Sequence, residues 1–244
     1  MPWRVDLNCD LGEEAGHDAE LMPLITSANI ACGAHAGDER TMRAAAALAL
    51  AHGVGIGAHP GFADRPNFGR LELPLPPADV RRLVRDQVEA LRAIAPLRHV
   101  KPHGALYNLA GRDPAIAEAI AGAVRDAGPH LILFALAGSA LLRAGRALGL
   151  QVASEVFADR TYQADGSLTP RARPGALIFD EAHAVAQALR MVREGLVRAA
   201  DGADVPVVAD TICLHGDGAH PVAFARRLRA VLESEGVEVR GFGR

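Results

Sequence analysis

Four histidines in this 244-residue chain each close an apolar, strand-like run, and each has glycine beside it. They lie in Cys32-Gly33-Ala34-His35-Ala36-Gly37-Asp38, Gly57-Ala58-His59-Pro60-Gly61, Lys101-Pro102-His103-Gly104 and Cys213-Leu214-His215-Gly216-Asp217. Two related run ends lack histidine: Asn8-Cys9-Asp10-Leu11-Gly12-Glu13 and Glu155-Val156-Phe157-Ala158-Asp159-Arg160. A single histidine at a strand end is more often a packing residue than a catalyst. Four of them, joined by Asp10, Glu13, Asp38, Asp64, Lys101, Glu155 and Asp159, are expensive to bury unless they pair or do chemistry.

Imidazoles and carboxylates together suit acid–base work such as hydrolysis. Asp10 fits either a general base or a metal ligand. His35 and His59 fit the same ion, because neutral imidazoles with a carboxylate suit zinc or a similar divalent metal. No H-E-x-x-H spacing is present, so metal-free catalysis by Asp and His is the alternative. Lys101 and His103 flank Pro102 and can both reach one ligand from an end-of-strand turn. Lys101 either neutralises charge on a substrate or forms a buried pair with a strand-end carboxylate. Arg65, Arg70 and Arg160 flank the same region, and an Arg can hold a carboxylate in a bidentate pair. Asn8, Glu13, Asp38, Glu155 and Asp159 complete the expected substrate-binding set. His17, His52, His99, His130 and His183 fall in loops, caps or helices and read as structural. There is no G-x-x-x-x-G-K-[ST] phosphate loop, no G-x-G-x-x-G opening a helix and no G-x-S-x-G elbow.

Residues so far apart meet only if the fold gathers them. Strand-like runs at Val5–Asp10, Ser27–Gly33, Gly55–His59, His99–His103, Leu131–Ala137, Gln151–Phe157 and Thr211–His215 alternate with helical periodicity. The helical segments are Glu39–His52, Asp79–Ile94, Pro114–Ala127, Ser139–Leu148, Glu181–Ala200 and Pro221–Glu235. This order predicts an α/β fold with a parallel sheet, closed into a barrel of about seven strands; an open doubly wound sheet is the alternative. In a barrel, all strand ends with their loops converge on one face, where active sites are built. Gly53, Gly128, Gly149 and Gly236 follow helical runs and are expected as left-handed caps. The Gly- and Pro-containing stretch Ala164–Gly175 is expected as a long loop over the site.

Composition narrows the partners. Half of the residues are hydrophobic, 23% are charged, and the net charge is −3. With no basic tract and only 4% aromatics, nucleic acid is not expected. The longest apolar run, Leu131–Ala137, is too short to span a bilayer. Cys9, Cys32 and Cys213 lack C-x-x-C spacing and read as reduced thiols. With no apolar signal core at the N-terminus, a cytoplasmic location and one domain over residues 1–244 are the expectations.

The same residues resemble a known family. Asp6–Glu13, Thr26–Asp38, Val54–Phe62, Val100–Asn108, Glu155–Arg160, Arg173–Ala176 and Cys213–Asp217 together are similar to the LamB/YcsF family, the A subunits of prokaryotic ATP-dependent 5-oxoprolinase. The resemblance implies an irregular seven-stranded β/α barrel of TIM-like type, similar to polysaccharide deacetylases. It implies a hydrolase acting on a cyclic amide: 5-oxo-L-proline, ATP and water giving L-glutamate, ADP and phosphate, with partner subunits B and C. For ring opening, Asp10 or a neighbouring His would be the base, Lys101 and His103 the stabilisers, and His215 the acid. Arg160 would hold the substrate carboxylate. ATP is implied more clearly than a metal, for which Asp10, His35 and His59 are the candidates. A metal-dependent deacetylase or amidohydrolase, and a non-catalytic lactam-binding subunit, are the competing readings. Two features depart from the family pattern: the loop Glu14-Ala15-Gly16-His17-Asp18 is short, and Leu71 stands where a second Arg is common.

Overall fold

The computed structural model describes residues 3–214 and 220–243. Ten strands and eight helices are present among them: β1 (Trp3–Leu11), α1 (Asp18–Leu21), β2 (Ser27–Ala31), α2 (Glu39–His52), β3 (Gly55–His59), α3 (Pro77–Arg92), β4 (His99–Val100), α4 (Gly104–Arg112), α5 (Pro114–Ala127), β5 (Ile132–Leu136), α6 (Ala140–Ala147), β6 (Val152–Phe157), α7 (Glu181–Glu194), β7 (Leu196–Arg198), β8 (Asp204–Pro206), β9 (Thr211–Leu214), α8 (Pro221–Ser234) and β10 (Val237–Val239). Strands β1, β2, β3, β4, β5, β6 and β9 pair in that order, all parallel, and β9 pairs back onto β1. That closure makes a seven-stranded barrel and excludes the open sheet. Strand β10 adds in parallel to the start of β1, and β7 and β8 form a separate antiparallel ribbon.

The barrel is apolar outside and largely polar inside. Successive strand residues point to opposite faces. On β1, Val5, Leu7, Cys9 and Leu11 are buried in the apolar layer beneath the helices. The alternate residues Asp6, Asn8 and Asp10 hydrogen bond to side chains of other strands or their flanks. Helices answer with apolar stripes; on α3, Val80, Val84, Val88 and Leu91 are fully buried. Burying each such side chain is worth roughly 1.5–3 kcal/mol. A smaller apolar cluster of Ile132, Phe134 and Ala153, with Phe242 against it, is separate from this layer.

Local chemistry sets the element ends. Asp38 accepts from the Thr41 amide while Thr41 accepts from the Asp38 amide, a capping box at the start of α2. Asp113, with Pro114 after it, caps α5, and Ser139 and Asp180 cap α6 and α7. Of the expected glycine caps, Gly53 has φ +65°, but Gly128 is extended at φ 171° and is no left-handed cap.

Several elements differ from expectation. The strand expected over His99–His103 ends at Val100, because Pro102 has no N–H to continue the ladder. The chain still runs alongside β3: the Lys101 amide donates to the Ala58 carbonyl and the His103 amide to the Pro60 carbonyl. The helix expected over Glu181–Ala200 stops at Glu194, where Gly195 turns left-handed and β7 begins. Helix α4, unforeseen behind its opening Gly104, packs Ala105, Leu106, Tyr107 and Ala110 into the core. Residues 158–180 carry no helix or strand. No described helix is long and apolar enough to cross a membrane.

Candidate active site

The strand ends open into a cleft of about 1200 Å³. Asp10, Glu13, His59, Lys101, His103 and Phe157 line it at the barrel end, and Arg70, Arg112, Arg143 and Arg171 line it farther out. Gln163 to Ala172 form one wall, so the long loop foreseen there does cover the site.

Lys101 is the centre of the barrel-end network. Its ammonium lies 2.8 Å from Asp10 Oδ1, 3.0 Å from Glu155 Oε1, 3.1 Å from Asn8 Oδ1 and 3.0 Å from Cys213 Sγ. Burial alone would push this ammonium down, but the carboxylates of Asp10 and Glu155 outweigh it and hold its pKa well above the ordinary lysine range. Lys101 is therefore a fixed positive charge facing the cleft. Burial in turn pushes the Cys213 thiol up, so it stays protonated beside Lys101. Burial and neighbouring Glu155 likewise push the Tyr107 phenol up.

Below this layer the lumen is wired by amides. Asn29 donates to Asn8 Oδ1 (2.7 Å) and Asp10 Oδ1 (2.9 Å). Its own Oδ1 lies 2.7 Å from His99 Nε2. Asn8 donates to Glu155 Oε1 and Thr211 Oγ1. His99 is thus on β4 inside the barrel, stacked on Phe134, rather than in a loop, cap or helix. Its ring occupies the space beside Gly57, where an added Cβ would stand 2.1 Å from Nε2.

Three histidines and Glu13 gather at the mouth. His35 stacks on His103 with ring centroids 3.8 Å apart, and His59 meets both rings edge-on. Glu13 Oε1 lies 3.1 Å from His35 Nε2, 3.3 Å from His103 Nδ1 and 3.8 Å from His59 Nε2. Asp10 Oδ2 is 3.4 Å from His59 Nε2. Burial pushes His35 down and His103 well down, toward the neutral imidazole. His59 is also buried, but the charge of Asp10 and its hydrogen bond outweigh that and raise it. One donor atom from each of Glu13, His35, His59 and His103 lies within 4.8 Å of every other, so these four form a possible metal-binding group. The sequence marks Asp10, His35 and His59 as the metal candidates; in the fold, Asp10 is held instead by Lys101 and Asn29.

Of the other expected site residues, Asn8 and Glu155 sit inside the barrel beneath the cleft. Arg70 lies over the Phe68 ring and on the cleft wall. Arg160 is buried, and it lines the cleft while tying down the long loop through the Thr169 and Ala176 carbonyls. Asp38 and Arg65 lie away from the cleft lining: Asp38 is the exposed helix cap, and Arg65 binds the Gly33 and Gly37 carbonyls. Asp159 is half-buried next to Arg160. His215 lies outside the described residues.

Sequence reading passed over Arg143, Arg171, Tyr107 and Phe157. Arg143 follows a strand end, Leu136-Ala137-Gly138-Ser139, that carries no charge and so drew no notice. Phe157 stands inside a quoted strand end, and only its alternation with Glu155 marks it as facing the lumen.

Comparison with known proteins gives a consistent family. The chain is 55% identical to the 5-oxoprolinase A subunit of Shouchella clausii (strain KSM-K16), over 97% of each chain. It is 54% identical to that of Geobacillus kaustophilus (strain HTA426), over 97% of this chain and 96% of that one. Its fold matches the crystal structure of a lactam utilization protein from Thermus thermophilus with a TM-score of 0.92 at 47% identity, covering 98% of this chain and all of the other. The model of the LamB/YcsF family matches residues 5–244. With a family match across almost its entire length, the chain belongs to the LamB/YcsF family.

Proposed function

We propose that this chain is the A subunit of an ATP-dependent 5-oxoprolinase and that its cleft opens the lactam ring to give glutamate. The observation that carries the reading is the Lys101 site: a buried, permanently charged ammonium, braced by Asp10 and Glu155, on the floor of a cleft lined by arginines. The names of relatives at about 55% identity support the same reading.

An amide carbonyl is a poor electrophile, and ATP supplies the activation. The chain has no phosphate loop in its sequence, so activation of the lactam oxygen by phosphoryl transfer falls to the partner subunits B and C. Water added at the ring carbon and cleavage of the carbon–nitrogen bond, with a proton for the leaving nitrogen, then give γ-glutamyl phosphate, and a second water releases phosphate to leave glutamate. Asp10 takes the proton from water. Lys101, already desolvated and fixed, faces the oxygen on which charge develops, which is where a preorganised cation contributes most. Arg143 and Arg171, both lining the cleft, offer bidentate partners for the substrate carboxylate or phosphoryl group.

The test is glutamate formation from 5-oxo-L-proline and ATP by the purified chain, alone and mixed with subunits B and C. Product only in the mixture is expected, with little ATP hydrolysis by the chain alone. Robust ATPase activity in the isolated chain would overturn the division of labour. A mixture that never forms glutamate would overturn the activity itself.

A further inference from the structure

We propose that Glu13, His35, His59 and His103 form a binding site for one first-row divalent metal ion, of the zinc type. The inference stands on side-chain geometry and is independent of which lactam or amide the cleft accepts.

The ring tautomers are the first support. His59 Nδ1 lies 2.7 Å from the Lys101 carbonyl oxygen, and His103 Nε2 lies 2.9 Å from the Phe68 carbonyl oxygen. A carbonyl oxygen only accepts, so each of those nitrogens carries the ring hydrogen. In the neutral rings the opposite nitrogens, His59 Nε2 and His103 Nδ1, then carry the lone pairs, and an ion would displace any proton that His59 Nε2 shares with Asp10 Oδ2 at 3.4 Å. These two nitrogens point at one another across 3.0 Å. The carboxylate oxygen Oε1 of Glu13 joins them from a third side. Three electron-rich atoms converging in a buried pocket repel unless a cation lies among them. A shared proton relieves one contact; a metal ion relieves all three. Backbone carbonyls that hold the far ring nitrogen are also what metal-ligating histidines ordinarily have.

The spacing is the second support. Four ligand atoms about 2.1 Å from one ion at tetrahedral angles stand about 3.4 Å apart. The contacts here are 3.0 Å for His59–His103, 3.1 Å for His35–Glu13, 3.3 Å for His103–Glu13 and 3.8 Å for His59–Glu13. Three nitrogens and one oxygen favour zinc and its neighbours over calcium or magnesium, which take oxygen ligands.

The pocket is also held in place. A Cβ at Gly61 would stand 2.7 Å from His35 Nδ1, and one at Gly69, whose φ is +63°, 2.8 Å from His35 Cβ. The 60–70 loop thus lies directly on the ligand rings, leaving them little room to swing away. Glu13, His59 and His103 line the cleft, so the ion is reachable from it. A bound ion there supplies Lewis acidity for a carbonyl or phosphoryl oxygen.

The experiment uses the full chain, stripped with chelator and dialysed. Zn²⁺ binding is measured by calorimetry, Co²⁺ binding by visible absorption, and thermal unfolding with and without each ion. About one equivalent of ion per chain, a tetrahedral Co²⁺ spectrum and a raised unfolding midpoint are expected. Glu13→Gln and His103→Gln should each weaken Zn²⁺ binding by about tenfold or more. Asp38→Ala, outside the site, should leave binding unchanged. A folded chain that takes up neither ion would overturn the proposal. So would binding of undiminished affinity in both Glu13→Gln and His103→Gln variants, with circular dichroism showing that they fold.

Discussion

Asp6 and Asp10 stand on the same face of the same strand, four residues apart, inside one barrel, and their surroundings could hardly differ more. Asp6, at the lower end, is satisfied by neutral hydroxyls: Thr26 at 2.6 Å and Ser27 at 2.7 Å donate to Oδ1, and Thr211 donates to Oδ2. Burial pushes its carboxyl up, and those donors offset this only in part. Asp10, at the upper end, is paired with Lys101, lies 3.4 Å from His59 and borders the cleft. The lesson is that a buried carboxylate is not in itself a catalyst. Hydroxyl donors around it make a structural joint, whereas an opposed cation, an imidazole and access to a cleft make the carboxylate that we propose as the base.

The largest effect should come from Asp10→Asn. Glutamate formation by the three-subunit mixture should fall about 10²–10⁴-fold, the usual range for loss of a general base, with an unchanged circular dichroism spectrum. Near-normal turnover would remove Asp10 as base and erase the distinction from Asp6.

Gly57→Ala probes the layer between the two ends. The new methyl would collide with the His99 ring, so a loss of about 1–3 kcal/mol or more is expected in urea unfolding. A wild-type midpoint would mean that the ring has room to move. Asp6→Ala takes the acceptor from the Ser27 and Thr211 hydroxyls, leaving Thr26 only the Leu7 carbonyl, and should cost about 1–3 kcal/mol, while turnover per folded chain stays the same. A large drop in turnover with stability intact would make the lower end catalytic and dissolve the comparison.

The gentlest effect concerns pH. Burial, with help from the charge of Lys101, pushes His99 down to about 3. The native chain keeps this ring neutral, whereas an unfolded histidine takes a proton near pH 6.5. Its contribution is therefore complete above about pH 6.5 and is lost on acidification, at up to about 1.4 kcal/mol per pH unit. His99→Gln keeps a donor for Asn29 and removes this titration. The fall in urea stability between roughly pH 7.5 and pH 5 should then be shallower in the variant. Parallel curves would show that His99 does not control the acid limb.

The repeating strand-then-helix order, the capping residues and the alternation of Asp6, Asn8 and Asp10 with Val5, Leu7 and Cys9 are written in the sequence, because they depend on neighbours a few residues apart. So is the suspicion attached to His35, His59, Lys101 and His103, because histidine and lysine at the ends of apolar strands must be buried near one another in a parallel barrel. What the sequence could not decide is which groups meet which. Glu13 looks like a substrate ligand until the closed barrel brings it against three imidazoles. Asp38 looks like a site carboxylate, although its capping partner Thr41 stands three residues on, and only the fold turns it away from the cleft. His99 reads as a structural residue of a loop, cap or helix until β4 places it in the lumen against Gly57. These outcomes turn on distances between segments far apart in the chain, and on which carbonyl faces which ring nitrogen. Only the closing of β9 onto β1 and the packing of loop 60–70 over the strand ends set them.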